Sequence, residues 1–190
     1  MKEYYDRRAP EYDEWWHGAA ETRPGWSEEL DEAAAAVASL PPARTLDVAC
    51  GTGYLTQRLR GEVVGLDQSA RMLAEARARL PQTTFVQGDA LALPFPDGSF
   101  GRVFASYFYC HLLDDERARF LAEARRVAPE LVVLGSRHSE GEAPERWEER
   151  RLSDGTAWTV FKRVFDPAAL ARELGGEVLH AGRYFVCVRA

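Results

Sequence analysis

The 190-residue chain lacks long apolar runs and a surplus of positive charge. No apolar run approaches the roughly 20 residues that a membrane-spanning helix needs. The opening residues have no apolar core of the signal-peptide kind, so we expect neither a membrane span nor export. The net charge of −6 argues against a general nucleic-acid binder, because binding phosphates requires a surplus of basic residues.

Cysteine and lysine are both scarce. The three cysteines, Cys50, Cys110 and Cys187, lie far apart and form no C-x-x-C or Cys/His ligand spacing. This supports neither a disulfide framework nor a metal site, so we predict no metal and a reducing, cytoplasmic location. Among the 24 basic residues only Lys2 and Lys162 are lysine.

What is present is a mixture typical of one globular α/β domain, with 46% hydrophobic and 28% charged residues. Short apolar runs alternate with amphipathic helical segments, which predicts a parallel sheet with crossover helices. The tail Val178–Val188 is interrupted only by Ala181-Gly182 and predicts a hairpin. The last strand must therefore run against the others.

The residue patterns also assign the individual elements. The predicted strands are Thr45–Ala49, Val63–Leu66, Thr84–Val86, Phe100–Ser106, Leu131–Leu134 and the two strands of the tail. The predicted helices run from a Ser27 cap to Pro41, near Tyr54–Arg60, from a Ser69 cap to Pro81, from Asp114 to Pro129, and from an Asp166 cap to Gly175. Residues 136–157 show no clear periodicity.

The sharpest motif is the glycine loop Leu46–Gly53, on a predicted strand-to-helix turn. Gly51 and Gly53 have no Cβ, so the chain can turn tightly there and approach a ligand. Such a turn lies at the carboxyl end of a strand, where open α/β sheets bind ligands. A Gly-x-Gly also fits an ordinary tight turn or a dinucleotide-binding loop. Thr56 replaces the third glycine of the dinucleotide motif, which weakens the dehydrogenase interpretation without excluding it.

Two carboxylates follow the next two strands. Asp67 ends the second strand and is placed to accept both hydroxyls of a ribose, as in dehydrogenases and methyltransferases alike. Asp89 ends the third strand, where it can receive an adenine amino group beside the N–H of Ala90. The glycine loop, Asp67 and Asp89 therefore fall along one rim of the predicted sheet.

With these motifs the sequence resembles the class I S-adenosylmethionine-dependent methyltransferases, especially small single-domain members related to quinone-biosynthesis methyltransferases. The resemblance covers roughly residues 1–136 and rests on Tyr5–Asp13 (Tyr-Asp-x-x-Ala-x-x-Tyr-Asp), the glycine loop, Val64–Leu73 and Gly88–Phe95. It implies a Rossmann-like, doubly wound, seven-stranded sheet of order 3-2-1-4-5-7-6 with an antiparallel last strand.

The resemblance also implies S-adenosyl-L-methionine as cofactor, S-adenosyl-L-homocysteine as product, and a role for each matching residue. Ala49 stands where the family often has glycine. The implied cofactor-binding residues are Asp47 with Gly51, Thr52 and Gly53 for the methionine part, Asp67 for the ribose, Gln68 and Met72 on either side of the adenine, Asp89 and Ala90 at its edge, Ser106 near the methionine amino group, and Tyr5 and Tyr12 as a cover.

We expect one domain over residues 1–190, with a helical lid at 1–40 and an acceptor-side insertion at 136–165. Basic and acidic residues are balanced in 137–165, which argues against a nucleic-acid groove. Ser106–Tyr109 is not the Asn/Asp-Pro-Pro-aromatic motif of enzymes that methylate amide or nucleobase amino groups. We therefore expect a small-molecule acceptor. The sequence identifies neither this acceptor nor the oligomeric state of the protein.

No catalytic residue can be assigned, because methyl transfer needs a general base only where the acceptor must lose a proton. His111 and His138 are candidate bases, although His111 equally suits a packing role in the apolar run Phe108–Leu113. Cys50 is better explained as a small buried thiol than as a nucleophile. Two other hypotheses stay open, namely a non-catalytic cofactor-binding or sensor protein and a nucleotide-linked oxidoreductase.

Overall fold

The computed structural model describes residues 1–190 and is built around a seven-stranded sheet of order β3-β2-β1-β4-β5-β9-β8. Strand β9 is antiparallel to β5 and β8, and the other neighbouring pairs are parallel. The predicted sheet order is confirmed. Two strands outside this sheet precede its last two strands along the chain, so the predicted strands 6 and 7 are β8 and β9. The strands are β1 Thr45–Val48, β2 Val63–Asp67, β3 Thr84–Gln87, β4 Arg102–Ser106, β5 Glu130–Ser136, β6 Glu145–Arg151, β7 Ala157–Arg163, β8 Glu177–Ala181 and β9 Phe185–Arg189.

Six α-helices and three single 3₁₀ turns connect the strands. The helices are α1 Lys2–Arg8, α2 Glu14–Thr22, α3 Trp26–Ala38, α4 Ala70–Arg79, α5 Asp114–Val127 and α6 Pro167–Leu174. The 3₁₀ turns are Ala9–Glu11, Thr56–Arg58 and Tyr109–His111. No helix has the length and apolar character to cross a bilayer.

Helices cover both faces of the sheet because successive strand residues point to opposite sides. In β4, Val103 and Ala105 join the core that also contains Phe120 of α5, whereas Phe104 joins the core formed with Leu30 of α3. The central strands are buried on both faces and are correspondingly apolar throughout. This two-sided burial leaves only the strand ends open to a ligand.

The predicted caps of two helices are confirmed. The Ser69 hydroxyl accepts the N–H of Met72 at 3.1 Å, and the Asp166 carboxylate accepts the N–H of Ala169 at 2.8 Å. Gly175 ends α6 in the left-handed conformation, with φ +73°. These side chains satisfy backbone groups that helix ends leave unpaired.

Two predicted helix features were wrong. Helix α3 begins at Trp26 after Gly25, which has φ +81°, so Ser27 lies inside the first turn and makes no capping bond. The helix expected near Tyr54–Arg60 is only the 3₁₀ turn Thr56–Arg58. It ends there because Leu59 is extended, with ψ 150°.

The segment without periodicity contains strand β6, which pairs antiparallel with β7 as a separate hairpin. Strand β6 reads Glu-Arg-Trp-Glu-Glu-Arg-Arg and alternates in burial, with Arg146, Glu148 and Arg150 half-buried. Because charged residues occupy both of its faces, the alternation in burial does not appear as an alternation of hydrophobic and polar residues. Ion pairs of Glu148 with Arg146 at 2.7 Å and with Arg150 at 3.0 Å lie along the half-buried face.

Gly65 in β2 is required by packing and provides a test of the sheet. A methyl group there would lie 2.5 Å from the Phe85 ring and 2.9 Å from the Cys50 sulfur. We expect Gly65→Ala to lower the free energy of unfolding by about 1–3 kcal/mol through overpacking. Gly18 in helix α2 has open space around it, so Gly18→Ala is expected to raise that energy by about 0.5–1 kcal/mol. Urea unfolding of both variants measures the difference, and an unchanged Gly65→Ala would contradict this packing.

Candidate active site

A cavity of about 310 Å³ opens at the carboxyl ends of strands β1 to β4. This is the position at which open α/β sheets bind ligands. Nine of the twelve residues predicted to bind the cofactor line it, namely Tyr5, Tyr12, Gly51, Asp67, Gln68, Met72, Asp89, Ala90 and Ser106. Asp47, Thr52 and Gly53 do not belong to its lining.

The glycine loop turns through left-handed backbone at Ala49, Gly51 and Gly53, with φ of +56°, +56° and +75°. Gly51 faces the cavity, and a Cβ there would lie 3.7 Å from the Tyr12 ring. At Ala49 the left-handed conformation carries a steric cost that glycine would avoid. This gives a physical reason for the glycine that the family resemblance implies at that position.

Asp67 connects the glycine loop to the turn after β2. Its carboxylate accepts the N–H of Gly51 at 2.9 Å and the N–H of Ser69 at 2.8 Å. Burial raises the pKa of Asp67, while these backbone hydrogen bonds act in the opposite direction. The carboxylate is thus held at the cavity wall with one lone pair of each oxygen still available.

Asp47 lies beneath the loop rather than in the cavity wall. One of its oxygens, Oδ2, accepts the Thr56 hydroxyl at 2.6 Å, whereas Oδ1 is buried without a partner. Burial and the nearby Asp67 together raise the pKa of Asp47 to about 7, although the hydrogen bond from Thr56 acts in the opposite direction. An unpartnered buried carboxylate oxygen is costly, which agrees with the raised pKa.

The N-terminal motif places two tyrosines in the cavity and ties two aspartates to its rim. Tyr5 lies in α1 and Tyr12 follows the 3₁₀ turn Ala9–Glu11, and their ring centres lie 6.3 Å apart. The carboxylate of Asp6 accepts the Ser69 hydroxyl at 2.6 Å. Asp13 accepts the Thr52 hydroxyl at 2.7 Å and pairs with Arg79. Thr52 therefore holds the N-terminal segment instead of facing the cavity.

Sequence reasoning missed several residues of the cavity wall. The most informative is Tyr107, directly after β4, which has φ +52° and a buried hydroxyl without a partner. Its position just beyond Ser106 at a strand end was the available signal. The other missed residues are Met1, Ala49, Leu66, Gly88, Leu91, Phe108, Leu112 and Glu116.

The two candidate histidines differ in position. His111 lines the cavity, and its Nδ1 lies 2.7 Å from the carbonyl oxygen of Phe161. His138 lies outside the cavity lining, with Nε2 2.7 Å from the carbonyl oxygen of Glu142. Cys50 is buried, and burial raises the pKa of its thiol well above the usual value, which suits the predicted packing role.

The strand order, the single reversed strand and the cavity at these strand ends are together the architecture of class I S-adenosylmethionine-dependent methyltransferases. Residues 46–130 match the family model described as a methyltransferase domain. The chain is therefore similar to proteins of this class in both sequence and fold.

Particular relatives refine the comparison. The demethylmenaquinone methyltransferase of Thermus thermophilus is 46% identical over 105 residues, covering 49% of this chain and 47% of the relative. The 2-phytyl-1,4-naphtoquinone methyltransferase of Thermosynechococcus vestitus is 36% identical over 132 residues, covering 62% and 56%. The chain thus spans about half the length of the curated relatives it matches. A DhpI–SAH complex has a TM-score of 0.74 and 28% identity, covering 98% of this chain and 92% of that chain.

The buried Asp47 gives the fold a characteristic pH dependence. Between the usual carboxyl pKa of about 4 and the raised value of about 7, the folded chain binds more protons than the unfolded chain at this residue. The contribution of Asp47 to stability therefore falls as pH rises through this range. We expect Asp47→Asn to gain on the order of 2 kcal/mol relative to wild type between pH 5 and pH 8.

Urea unfolding at both pH values measures this change. The exposed Asp97→Asn serves as the matched control and should show no comparable gain. If the free energies of unfolding of wild type and Asp47→Asn change in parallel with pH, Asp47 is ionised in the folded chain over this range and the prediction is wrong.

Proposed function

We propose that this chain binds S-adenosylmethionine in the cavity and transfers its methyl group to a small-molecule acceptor. One observation carries the proposal: Gly51, Asp67 and Asp89, from three successive strand ends, line a single cavity. The lining itself provides the test of fit, because the carboxylates of Asp67 and Asp89 suit hydroxyl and amino donors and Gly51 has no Cβ to block a ligand.

The individual roles follow from the chemistry of each residue. The two available lone pairs of Asp67 suit the ribose hydroxyls, and Gln68 and Met72 provide flat and apolar contact for the adenine. Asp89, whose Oδ1 accepts the Leu91 N–H at 2.9 Å, is oriented to receive the adenine amino group. When bound, S-adenosylmethionine supplies a methyl group already activated by its sulfonium sulfur.

What the protein then contributes is position and exclusion of water. Aligning an acceptor atom behind the methyl carbon can supply about 7–11 kcal/mol of the barrier. Tyr5 and Tyr12 cover the cavity, and no acid–base pair is required. For an acceptor that must lose a proton, His111 is the candidate base, since its Nδ1 is engaged by the Phe161 carbonyl and Nε2 stays available.

We assign the lid to residues 1–13, within the wider 1–40 expected from sequence. Helix α3 supports this narrower lid because it packs in the core against the sheet. The β6–β7 hairpin, within 136–165, is the acceptor-side wall, and it contacts the lid. Glu11 accepts the Ser153 N–H at 3.0 Å, and Tyr4 packs with Val160.

The names of the relatives support a small acceptor. Two of them are named for the small acceptors demethylmenaquinone and 2-phytyl-1,4-naphtoquinone. The three buried, unpaired cysteines support the reducing, cytoplasmic location that we infer. An oxidoreductase would instead bind NAD. Displacement of bound S-adenosylhomocysteine by NAD would favour that alternative.

Removing the carboxylate of Asp67 tests the cofactor site. We expect Asp67→Ala to weaken binding of S-adenosylmethionine and S-adenosylhomocysteine at least tenfold, because charge-assisted hydrogen bonds contribute about 1.5–3 kcal/mol each. Calorimetry measures both affinities, with Asp97→Asn as control. Unchanged affinity in Asp67→Ala, or no binding to wild type at millimolar ligand, would refute the proposal. Methyl turnover over an acceptor panel separates an enzyme from a sensor.

The two aspartate contacts of the N-terminal segment test the lid. We expect Asp6→Ala and Asp13→Ala to speed tryptic cleavage after Arg7 and Arg8, because each removes a link to the cavity rim. S-adenosylhomocysteine should slow cleavage of the wild type. Glu3→Ala removes only an exposed pair with Arg7 and serves as the control. Equal cleavage rates for all four proteins would count against a lid held by these contacts.

A further inference from the structure

A buried lysine stands behind the cavity without an acidic partner. Lys162, on β7, is only 7% exposed, and no carboxylate lies within 4 Å of its Nζ. Lysine is almost never buried to this degree unless it is paired. Glu148, the carboxylate on the adjoining strand β6, is already bound by Arg146 and Arg150. Lys162 therefore has no carboxylate of its own within ion-pair distance.

The surroundings of Lys162 consist of hydroxyl groups at the rim of the sheet. Its Nζ lies 3.1 Å from the hydroxyl of Ser136, the last residue of β5. It also lies 5.2 Å from the ring centre of Tyr107. Tyr107 lines the cavity, and its buried hydroxyl has no partner. The ammonium thus lies beside the Ser136 hydroxyl and the Tyr107 ring, next to the proposed cofactor site.

The cysteines record the electrostatic potential at this place. Burial raises the pKa of a thiol, as it does to about 12 at Cys187. At Cys110 burial acts in the same direction, but the neighbouring His111 and Lys162 outweigh it and lower the pKa to about 6. The Cys110 sulfur lies 3.9 Å from the Lys162 Nζ. Buried Cys110 therefore differs from buried Cys187 because of an excess of positive charge.

We propose that Lys162, Ser136 and Tyr107 form a binding site for an anionic oxygen group of the methyl acceptor, either a carboxylate or a phosphoryl group. The ammonium balances the charge, and the two hydroxyls donate hydrogen bonds to it. This inference rests on the proposed function for its placement beside the methyl group. It adds a substrate class that the fold and the cofactor residues do not specify.

An anionic acceptor also fits a cavity without an acid–base pair. A negatively charged oxygen attacks the methyl carbon with its own lone pair, and the carbon–sulfur bond breaks with its electrons going to sulfur. The sulfonium charge and the oxygen charge both disappear, so no proton has to move. His111 is then free to orient the acceptor rather than deprotonate it.

The scarcity of lysine makes the site directly observable. With protein labelled by ¹⁵N-lysine, only Lys2 and Lys162 contribute side-chain signals, and exposed Lys2 is the internal reference. Benzoate, inorganic phosphate and the neutral benzamide are titrated with and without saturating S-adenosylhomocysteine. We expect benzoate or phosphate to shift the Lys162 signal while benzamide does not. The anion that shifts it more distinguishes a carboxylate from a phosphoryl acceptor.

Calorimetry with the same probes gives the energetic test. We expect Lys162→Met to weaken binding of the shifting anion about tenfold or more, and Lys162→Arg to retain most of it. Arg172→Met removes an exposed charge on α6 and should change nothing. Tyr107→Phe and Ser136→Ala, milder changes, should each weaken binding about threefold or more.

The result that overturns the proposal is an unmoved Lys162 signal with both anions at millimolar concentration, or equal anion binding by wild type and Lys162→Met. If wild type binds the anion through Lys162 but does not bind S-adenosylhomocysteine, the cofactor proposal fails and the anion site stands.

Discussion

The carboxylate of Asp67 is the interaction on which the cavity depends. By accepting the N–H groups of Gly51 and Ser69, it joins the loop after β1 to the turn after β2. Ser69 in turn caps α4 and donates to Asp6 of the N-terminal segment. One buried acid thus fixes two loops, one helix start and the cover of the cavity. Its raised pKa is the cost of burial that these hydrogen bonds partly offset.

Most of the fold could be predicted because its strands obey simple rules. Buried parallel strands are short apolar runs, and their crossover helices end at caps such as Ser69 and Asp166 that are visible in sequence. The reversed strand β9 follows from the hairpin tail. Strand β6 could not be found in this way, because its alternation is between half-buried and exposed charges. The misplaced cap at Ser27 has a similar origin, since Gly25 ends the preceding turn through its backbone conformation.

The candidate site likewise contains residues that could be predicted from the sequence and residues that could not. Residues at strand ends, such as Asp67 and Asp89, were predictable because parallel strands share one edge of the sheet. Tyr107 was missed because its importance lies in a left-handed backbone and an unpartnered hydroxyl, neither of which a sequence displays. Lys162 was noted only as a rare residue type. Its burial beside Ser136 depends on a hairpin that hydrophobic periodicity did not reveal.

That hairpin has its own hydrogen-bond ladder and no strand paired to the main sheet. Replacing its residues therefore leaves the register of the seven strands untouched. In evolutionary terms, the wall that would select the acceptor is a replaceable module, whereas the wall that would hold the donor is built into the sheet itself. A family of enzymes could exchange substrates by rewriting some twenty residues while inheriting the rest of the molecule unchanged.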